Sequence, residues 1–524
     1  MRATARAAGA AASLILGLGG AAWWIYGRGA SPPPPPVRTP AQAPGTRPGG
    51  PRGAPEPKKP ESTAPAATEA PPPGAPNLVV IDIDTLRADR VGATREGQPI
   101  TPTIDALAKR GATFTHAISQ SGWTLPAVTT LLTGSSPLPI ASPRKVPKQA
   151  PGARDLPSIL AIYGYQTAVF WGSTLPGHVK GFVSSDFATV DVTPPGQPPA
   201  TNRVRDWIDH AEPPFFAWIH EVDLHTPDAM APPYAWVQPD DPSGASYTEV
   251  YRRLGEHVPD AEARVRTLAR YDSNLHAYDA AIAELLEHIA ARGLADSTVI
   301  VVTSDHGEDL WDHAVFDHGL LYDSTLRVPL VVADPALPKP GIVVDTEVQG
   351  MDLAPSLLTR VGIPVDARMT GQSWLPLLRG EPGYVERPVF SVTEPCHASL
   401  RANGQKLILR DTRRRKDRPW VEAGNGVVVP VTELGSFTLP DCAADTTLAV
   451  EAYDLVADPD ERTNLVISRK EALVPAVRTL LALMVDADAR LAGRPTRPLS
   501  PEEVEAVRAQ GYWGLVGGDS VTTK

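Results

Sequence analysis

Between Thr298 and Pro329 the chain reads TVIVVTSDHGEDLWDHAVFDHGLLYDSTLRVP, a stretch dense in groups that bind cations. Thr298 to Thr303 are all β-branched, which predicts a buried strand. Asp305 and His306 follow at its C-terminal tip, the edge where open α/β sheets bind ligands. A carboxylate beside an imidazole suits Zn²⁺, Mn²⁺, Mg²⁺ or Ca²⁺ better than thiolate-seeking metals. Glu308, Asp309, Asp312, His313, Asp317 and His318 come next. Taken alone, the stretch also reads as a solvated acidic loop, because two adjacent ligands do not make a metal site. Other segments must complete it.

Three earlier segments offer groups of the right kind. Leu78–Ile83 predicts a strand with Asp84 just past its end. Asp82 and Asp84 share a face because side chains alternate along a strand. Asp84 is nearer the tip and the better ligand, and the deeper Asp82 needs a partner, since a buried unpaired carboxylate is costly. Thr124 precedes Pro126 in SGWTLPAVTTLLTG, just ahead of a predicted helix running to Thr133. Its hydroxyl has two readings there: a helix cap, or a nucleophile favoured by the helix dipole and an adjacent metal. The third segment, Phe215–Ile219, predicts a strand that runs into His220, Asp223 and His225.

The intervening sequence supplies elements to position these groups. Helices are predicted over Thr101–Arg110 and Arg270–Arg292, the second ending at Gly293, and a further strand over Gln166–Trp171. Strands alternating with helices, with polar clusters at three strand ends, predict a doubly wound, mainly parallel α/β sheet.

Bulk properties set limits. The chain has 524 residues, enough for a large α/β core and a smaller appended domain. A net charge of −11 and the lack of a basic stripe exclude a nucleic-acid binder. Cys396 and Cys442 are too few for a thiolate cage; they are either one disulfide or two separate thiols. Arg2 and Arg6 precede an apolar run from Ala7 to Ala22 and then Trp23, Trp24 and Tyr26. Residues 1–30 therefore predict a signal peptide or, better matched by the aromatic cluster, a single membrane anchor; either exports the rest to the periplasm or cell exterior. Residues 31–76 are Pro-rich and predict an extended, disordered spacer.

From Asn77 onward the chain resembles the sulfatase family of the alkaline phosphatase superfamily. The resemblance is carried, in order, by PNLVVIDIDTLRADRVG, TPTIDALAKRGATFTHAISQSGWTLPAVTTLLTG, FAWIHEVDLHTPDAMAPPY and YDSNLHAYDAAIAELLEHIAARGLADSTVIVVTSDHGE. Further on come MDLAPSLLTRVGIPVDARMTGQSWLPLLRGE, EAYDLVADPDERTNL and LSPEEVEAVRAQGYWG. It implies an alkaline-phosphatase-like catalytic domain over 77–385 with helices on both faces of its sheet. A C-terminal α+β subdomain with a small antiparallel sheet over 386–490 and a tail over 491–524 follow. Carried over residue by residue, Asp84, Asp305, His306 and Thr124 hold one divalent metal, with a second metal an open option. Thr124 stands at the nucleophile position. His225, or else His220, serves the leaving group. His318 stands where many relatives have lysine, as a cationic clamp or a ligand to a second metal. Asp223 lies beside these as a substrate-binding candidate. Arg87 is either a charge-neutralising substrate contact or, as the plainer reading, an exposed surface arginine.

Departures from the family pattern shape the chemistry expected. Thr85 stands where many relatives have a second aspartate, so the coordination is one carboxylate poorer. Sulfatases make a formylglycine from the cysteine or serine of C/S-x-P-x-R, whereas this chain reads Thr124-Leu125-Pro126-Ala127-Val128. A formylglycine hydrate expels sulfate by collapsing to the aldehyde; a threonine ester has no such exit, so phosphate esters fit this residue better. The expectation is an exported, metal-dependent phosphate- or sulfate-ester hydrolase. Two rivals are a phospho-alcohol head-group transferase acting on envelope glycans and a non-catalytic binding protein.

Overall fold

The computed structural model describes residues 67–135, 155–172, 187–192, 200–222, 261–313, 316–394, 397–411 and 447–466, with short pieces between them. These belong to one unit, residues 61–524. Residues 1–30, most of the Pro-rich spacer and most of the tail lie outside the described residues, as do Asp223, His225, Cys396 and Cys442. No helix among the described residues is long and apolar enough to cross a membrane.

The central sheet is built on β1 (Asn77–Ile83), whose seven residues are all buried. Strands β2 (Ala112–Ile118), β3 (Gln166–Trp171), β4 (Thr189–Val192), β5 (Phe215–Glu221), β6 (Thr298–Thr303), β7 (Arg327–Ala333) and β8 (Ile342–Val344) complete the order β8-β2-β7-β6-β1-β5-β3-β4. A short ninth strand, Val348–Gln349, pairs with β2. β1 runs parallel to β5 and β6. β7 is the reversed strand, antiparallel to both β6 and β2. The mainly parallel, doubly wound sheet expected from strand–helix alternation is what forms.

Side-chain alternation decides which face each residue serves. Leu78 and Val80 of β1, Phe216 and Trp218 of β5 and Val299 and Val301 of β6 pack with helix α2 (Thr124–Thr133). Val79, Ile81, Ile300 and Val302 pack on the other face, with helix α1 (Pro102–Arg110) and the long helix α3 (Ala261–Ala291). Extended by the same parity, Asp82, Asp84 and His220 emerge on the α2 face. Helix α3 begins well before the expected Arg270. Its end fits the Schellman pattern: Leu294 N donates to Ile289 O and Gly293, at φ 70°, donates to Ala290 O.

A five-stranded antiparallel sheet follows, made from Val389–Glu394, His397–Ala402, Gln405–Asp411, Val427–Pro430 and Thr447–Asp454. Its first strand reaches into the catalytic body. Val392 N donates to Gln120 O (2.9 Å), Ser391 Oγ to Ser119 O (2.8 Å) and Trp123 Nε1 to Thr393 O (2.9 Å). The loop just before Thr124 is thereby pinned from outside the main sheet.

Candidate metal and nucleophile site

Asp84 lies one residue beyond β1, and its amide donates to Glu221 O at the end of β5 (2.9 Å). The chain then turns through Thr85, whose φ of 62° is rare for a β-branched residue and costs on the order of 1–3 kcal/mol. Tyr271 of α3 holds that turn by donating its hydroxyl to Thr85 O (2.7 Å). The Thr85 hydroxyl donates to the Asp84 carbonyl (2.6 Å). At this position threonine serves the backbone.

Asp305 and His306 follow β6, the other parallel neighbour of β1. Their backbone is fastened on both sides: Ser119 Oγ donates to Asp305 O (2.5 Å), and Ser304 Oγ to His306 O (2.5 Å). Gly307 is required here, since a Cβ would overlap the Ser324 carbonyl oxygen. His306 Nδ1 lies 2.9 Å from Gly307 O, which obliges it to carry the proton. Nε2 therefore presents a lone pair. It lies 3.5 Å from Asp84 Oδ1, 3.5 Å from Asp305 Oδ2 and 3.4 Å from Thr124 Oγ1.

Thr124 is the first residue of α2, and Trp123 holds the cap position in an extended conformation. Of the two readings open for its hydroxyl, the cap is therefore not what the structure forms; the group faces His306 instead. Asp84, Thr124, Asp305 and His306 converge from three distant segments, each at most 6% exposed.

The donor set fits a divalent cation. Asp82, Asp84 and Asp305 are buried together, and among the described residues their ion-pair partners are imidazoles, not arginine or lysine. Asp305 Oδ2 is buried without a hydrogen-bond partner. Burial, then the Asp84 and Asp82 charges, push the Asp305 carboxyl well above its ordinary range. Burial also raises Asp82, against the opposing pull of His220. Burial alone would lower the His220 imidazole, but the Asp82 carboxylate outweighs it and lifts it to about 10. An anionic cluster that clings to protons in this way is one a metal ion would neutralise.

Other expected site residues fall differently. His220 is fully buried, with Nδ1 2.7 Å from Asp82 Oδ2 and Nε2 3.7 Å from Asp84 Oδ2. His318 stacks on His306 with ring centres 4.9 Å apart, and its Nδ1 lies 3.3 Å from Glu308 Oε2. Arg87 is not the exposed arginine of the plainer reading. It is 8% exposed and pairs with Asp89 (2.9 and 3.0 Å), Asp312 (2.5 Å) and the Glu308 carbonyl (3.0 Å). Those partners hold its pKa well above the ordinary arginine value against burial. Its guanidinium is occupied in joining the β1 turn to the 308–312 loop. The Asp82–His220 pair and the Ser119 and Ser304 anchors were not assigned roles from the sequence. Only the requirement that Asp82 find a partner signalled the first of these.

A sheet whose strand tips gather carboxylates, imidazoles and a helix-start hydroxyl defines an alkaline-phosphatase-like α/β protein with a cluster that could hold a metal ion. Residues 76–363, more than half the chain, match the family described as Sulfatase, and the chain belongs to that family. It is 27% identical to an ulvan-active sulfatase of Formosa agariphila over 59% of this chain and 66% of that one. With arylsulfatase K of Gallus gallus the identity is 28% over 44% of this chain and 38% of the relative. The chain thus spans less than two thirds of each. A Δ4,5-hexuronate-2-O-sulfatase of Bacteroides thetaiotaomicron is matched more fully, at 24% identity over 79% of this chain and 92% of that protein. Among solved structures, a phosphonate monoester hydrolase of Agrobacterium radiobacter superposes with a TM-score of 0.59 at 19% identity, covering 79% and 96% of the two chains. A 2-O GAG sulfatase does so with a TM-score of 0.58 at 19% identity, covering 82% and 96%. At such identities these two speak for the shared fold.

Proposed function

We propose that this sulfatase-family chain is an exported, metal-dependent ester hydrolase in which Thr124 is the nucleophile and phosphate esters are preferred over sulfate esters. The observation that carries the reading is Thr124 Oγ1 placed 3.4 Å from His306 Nε2, which itself lies 3.5 Å from both Asp84 and Asp305. Asp84, Asp305, His306 and Thr124 would hold one divalent ion, which supplies Lewis-acid polarisation of the ester and a lowered hydroxyl pKa. Thr124 is the first residue of α2, where the helix dipole favours the negative charge that develops on its oxygen. Thr124 loses its hydroxyl proton to solvent as Oγ attacks phosphorus in line, the bond to the leaving alkoxide breaks, and His225 gives that oxygen a proton that it recovers from the water of the next step. Water then cleaves the threonine phosphate, restoring the hydroxyl and releasing phosphate. His318, whose Nδ1 lies 3.3 Å from Glu308 Oε2, would serve as a cationic clamp on the substrate or as a ligand to a second metal. Residues 1–30 serve as the export signal and anchor.

The sulfate activities named for the relatives belong to those proteins. Phosphate is favoured here because Thr124 offers no aldehyde through which sulfate could leave. The test is turnover of bis-p-nitrophenyl phosphate, p-nitrophenyl phosphate and p-nitrophenyl sulfate by the purified full chain with Mn²⁺, beside Thr124→Ala. Phosphoester turnover that falls by roughly 10²–10⁴-fold in the variant is expected. Turnover of the sulfate alone would overturn the phosphoester preference. No turnover and no bound metal would leave a sulfatase-like binding protein.

A further inference from the structure

Asp82 and His220 are register partners on adjacent parallel strands, β1 and β5, although 138 residues separate them. Both are fully buried. His220 Nδ1 lies 2.7 Å from Asp82 Oδ2, and since a carboxylate accepts, Nδ1 carries the proton. Trp171 of β3 stacks on the ring with centroids 3.8 Å apart and fixes its rotation. His220 Nε2 is then left with no hydrogen-bond partner and lies 3.7 Å from Asp84 Oδ2, beyond hydrogen-bonding length.

His306 repeats this logic on the opposite side of the same carboxylate. Its Nδ1–H is held by the Gly307 carbonyl, and its Nε2 approaches Asp84 Oδ1. Two imidazoles, each with the proton fixed on Nδ1, aim Nε2 at the two oxygens of Asp84. Ligand atoms of Asp84, His220 and Asp305 all lie within 4.8 Å of one another. Ligands on opposite sides of an ion with bonds of about 2.1 Å stand about 4.2 Å apart, so one ion reaches all three after a small contraction. A merely structural histidine in a fully buried site needs both ring nitrogens satisfied. Here one is satisfied by Asp82 and the other opens toward the metal ligands.

We propose that His220 is itself a ligand of the metal centre, held in place by Asp82, and that it takes the coordination place left by Thr85. The Thr85 hydroxyl is committed to the Asp84 carbonyl and offers the ion nothing. Asp82 acts as a positioning residue of the kind that sets the tautomer and orientation of a metal-bound imidazole. This rests on the reading that Asp84, Asp305 and His306 bind a metal, and it replaces the leaving-group role considered for His220.

Pulsed EPR of the Mn²⁺-loaded full chain counts coordinating imidazole nitrogens without need of a variant. Two are expected in the wild type, one in His220→Gln and one in His306→Gln. Asp82→Asn is expected to weaken Mn²⁺ affinity by about 10–100-fold. One imidazole in the wild type, lost in His306→Gln, would overturn the inference while leaving the metal site standing. Unchanged affinity in Asp82→Asn would overturn the positioning role of Asp82. Failure of the wild type to bind Mn²⁺ would overturn the metal reading and this inference together.

Discussion

Among the described residues, two of the buried charged clusters are built on opposite principles. One joins the 323 region to the C-terminal sheet: Asp323 pairs with Arg401 (2.5 Å) and Lys406 (2.7 Å), Lys406 with Glu461 (2.8 Å), and Arg401 with Glu347. Each carboxylate there meets an arginine or lysine. The other gathers Asp82, Asp84 and Asp305, which among the described residues meet histidines. The first cluster is settled by the chain's own cations. In the second, the ion pairs among the described residues are to imidazoles, an arrangement of buried carboxylates that is found where function requires it. The contrast is clearest between two carboxylates: burial pushes Asp305 far up, whereas in Asp323 the Lys406 and Arg401 charges overcome burial and hold the carboxyl low, although burial still raises Glu347 and Glu461 at the edge of that cluster.

The comparison can be broken most sharply at Lys406. Lys406→Met leaves Asp323 and Glu461 without that cation and is expected to cost about 3–5 kcal/mol in urea unfolding, with Mn²⁺ affinity unchanged. A loss of metal binding instead would mean the two clusters are coupled. Asp305→Asn should do the reverse. Without metal it unfolds at a higher temperature than the wild type, because a strained carboxylate is gone. It also loses the stabilisation of about 2.7 kcal/mol that wild type gains at a hundredfold excess of Mn²⁺ over Kd. Thermal unfolding with and without the ion reads both effects; a variant still stabilised by Mn²⁺ would remove Asp305 from the ligand set.

Gly307→Ala forces a methyl group against the Ser324 carbonyl. A loss of about 1–3 kcal/mol is expected, with weakened Mn²⁺ binding because His306 sits on the same turn. The smallest effect concerns Glu461, whose carboxyl burial pushes up to about 7. The folded state therefore binds its proton more tightly than the unfolded state. The stability this group contributes is full below about 4.5 and is lost as pH rises through about 7. Glu461→Gln should flatten the pH dependence of unfolding between about 6 and 8 by roughly 1–2 kcal/mol, and an unchanged slope would count against the shift.

Much of the site could be seen in the chain itself. Six β-branched residues followed by Ser-Asp-His-Gly mark both a strand and the candidate ligands at its tip, because strand propensity and tip position are local properties. Thr124 ahead of Pro126 was likewise visible, but its two readings were separable only once Trp123 proved to hold the cap position. The sequence leaves Arg87 open between a substrate contact and an exposed arginine because its partner Asp312 is 225 residues away and nothing local shows which acid folds against it. Ala112–Ile118 was not singled out as a strand, its alternating polar residues giving a weaker signal than the continuous apolar runs of β1 and β6.

By itself the sequence determined the alternation of strands and helices, the face each strand residue serves, and the residue types able to hold a cation. These follow from backbone periodicity and side-chain chemistry, which act over a few residues. The tertiary structure decided strand order, and through it that Asp82 lies beside His220 and that Thr124 meets His306. It also decided that the first strand of the C-terminal sheet pins the loop before Thr124. Such pairings depend on which distant segments become neighbours, and that is settled by burying both faces of one sheet at once.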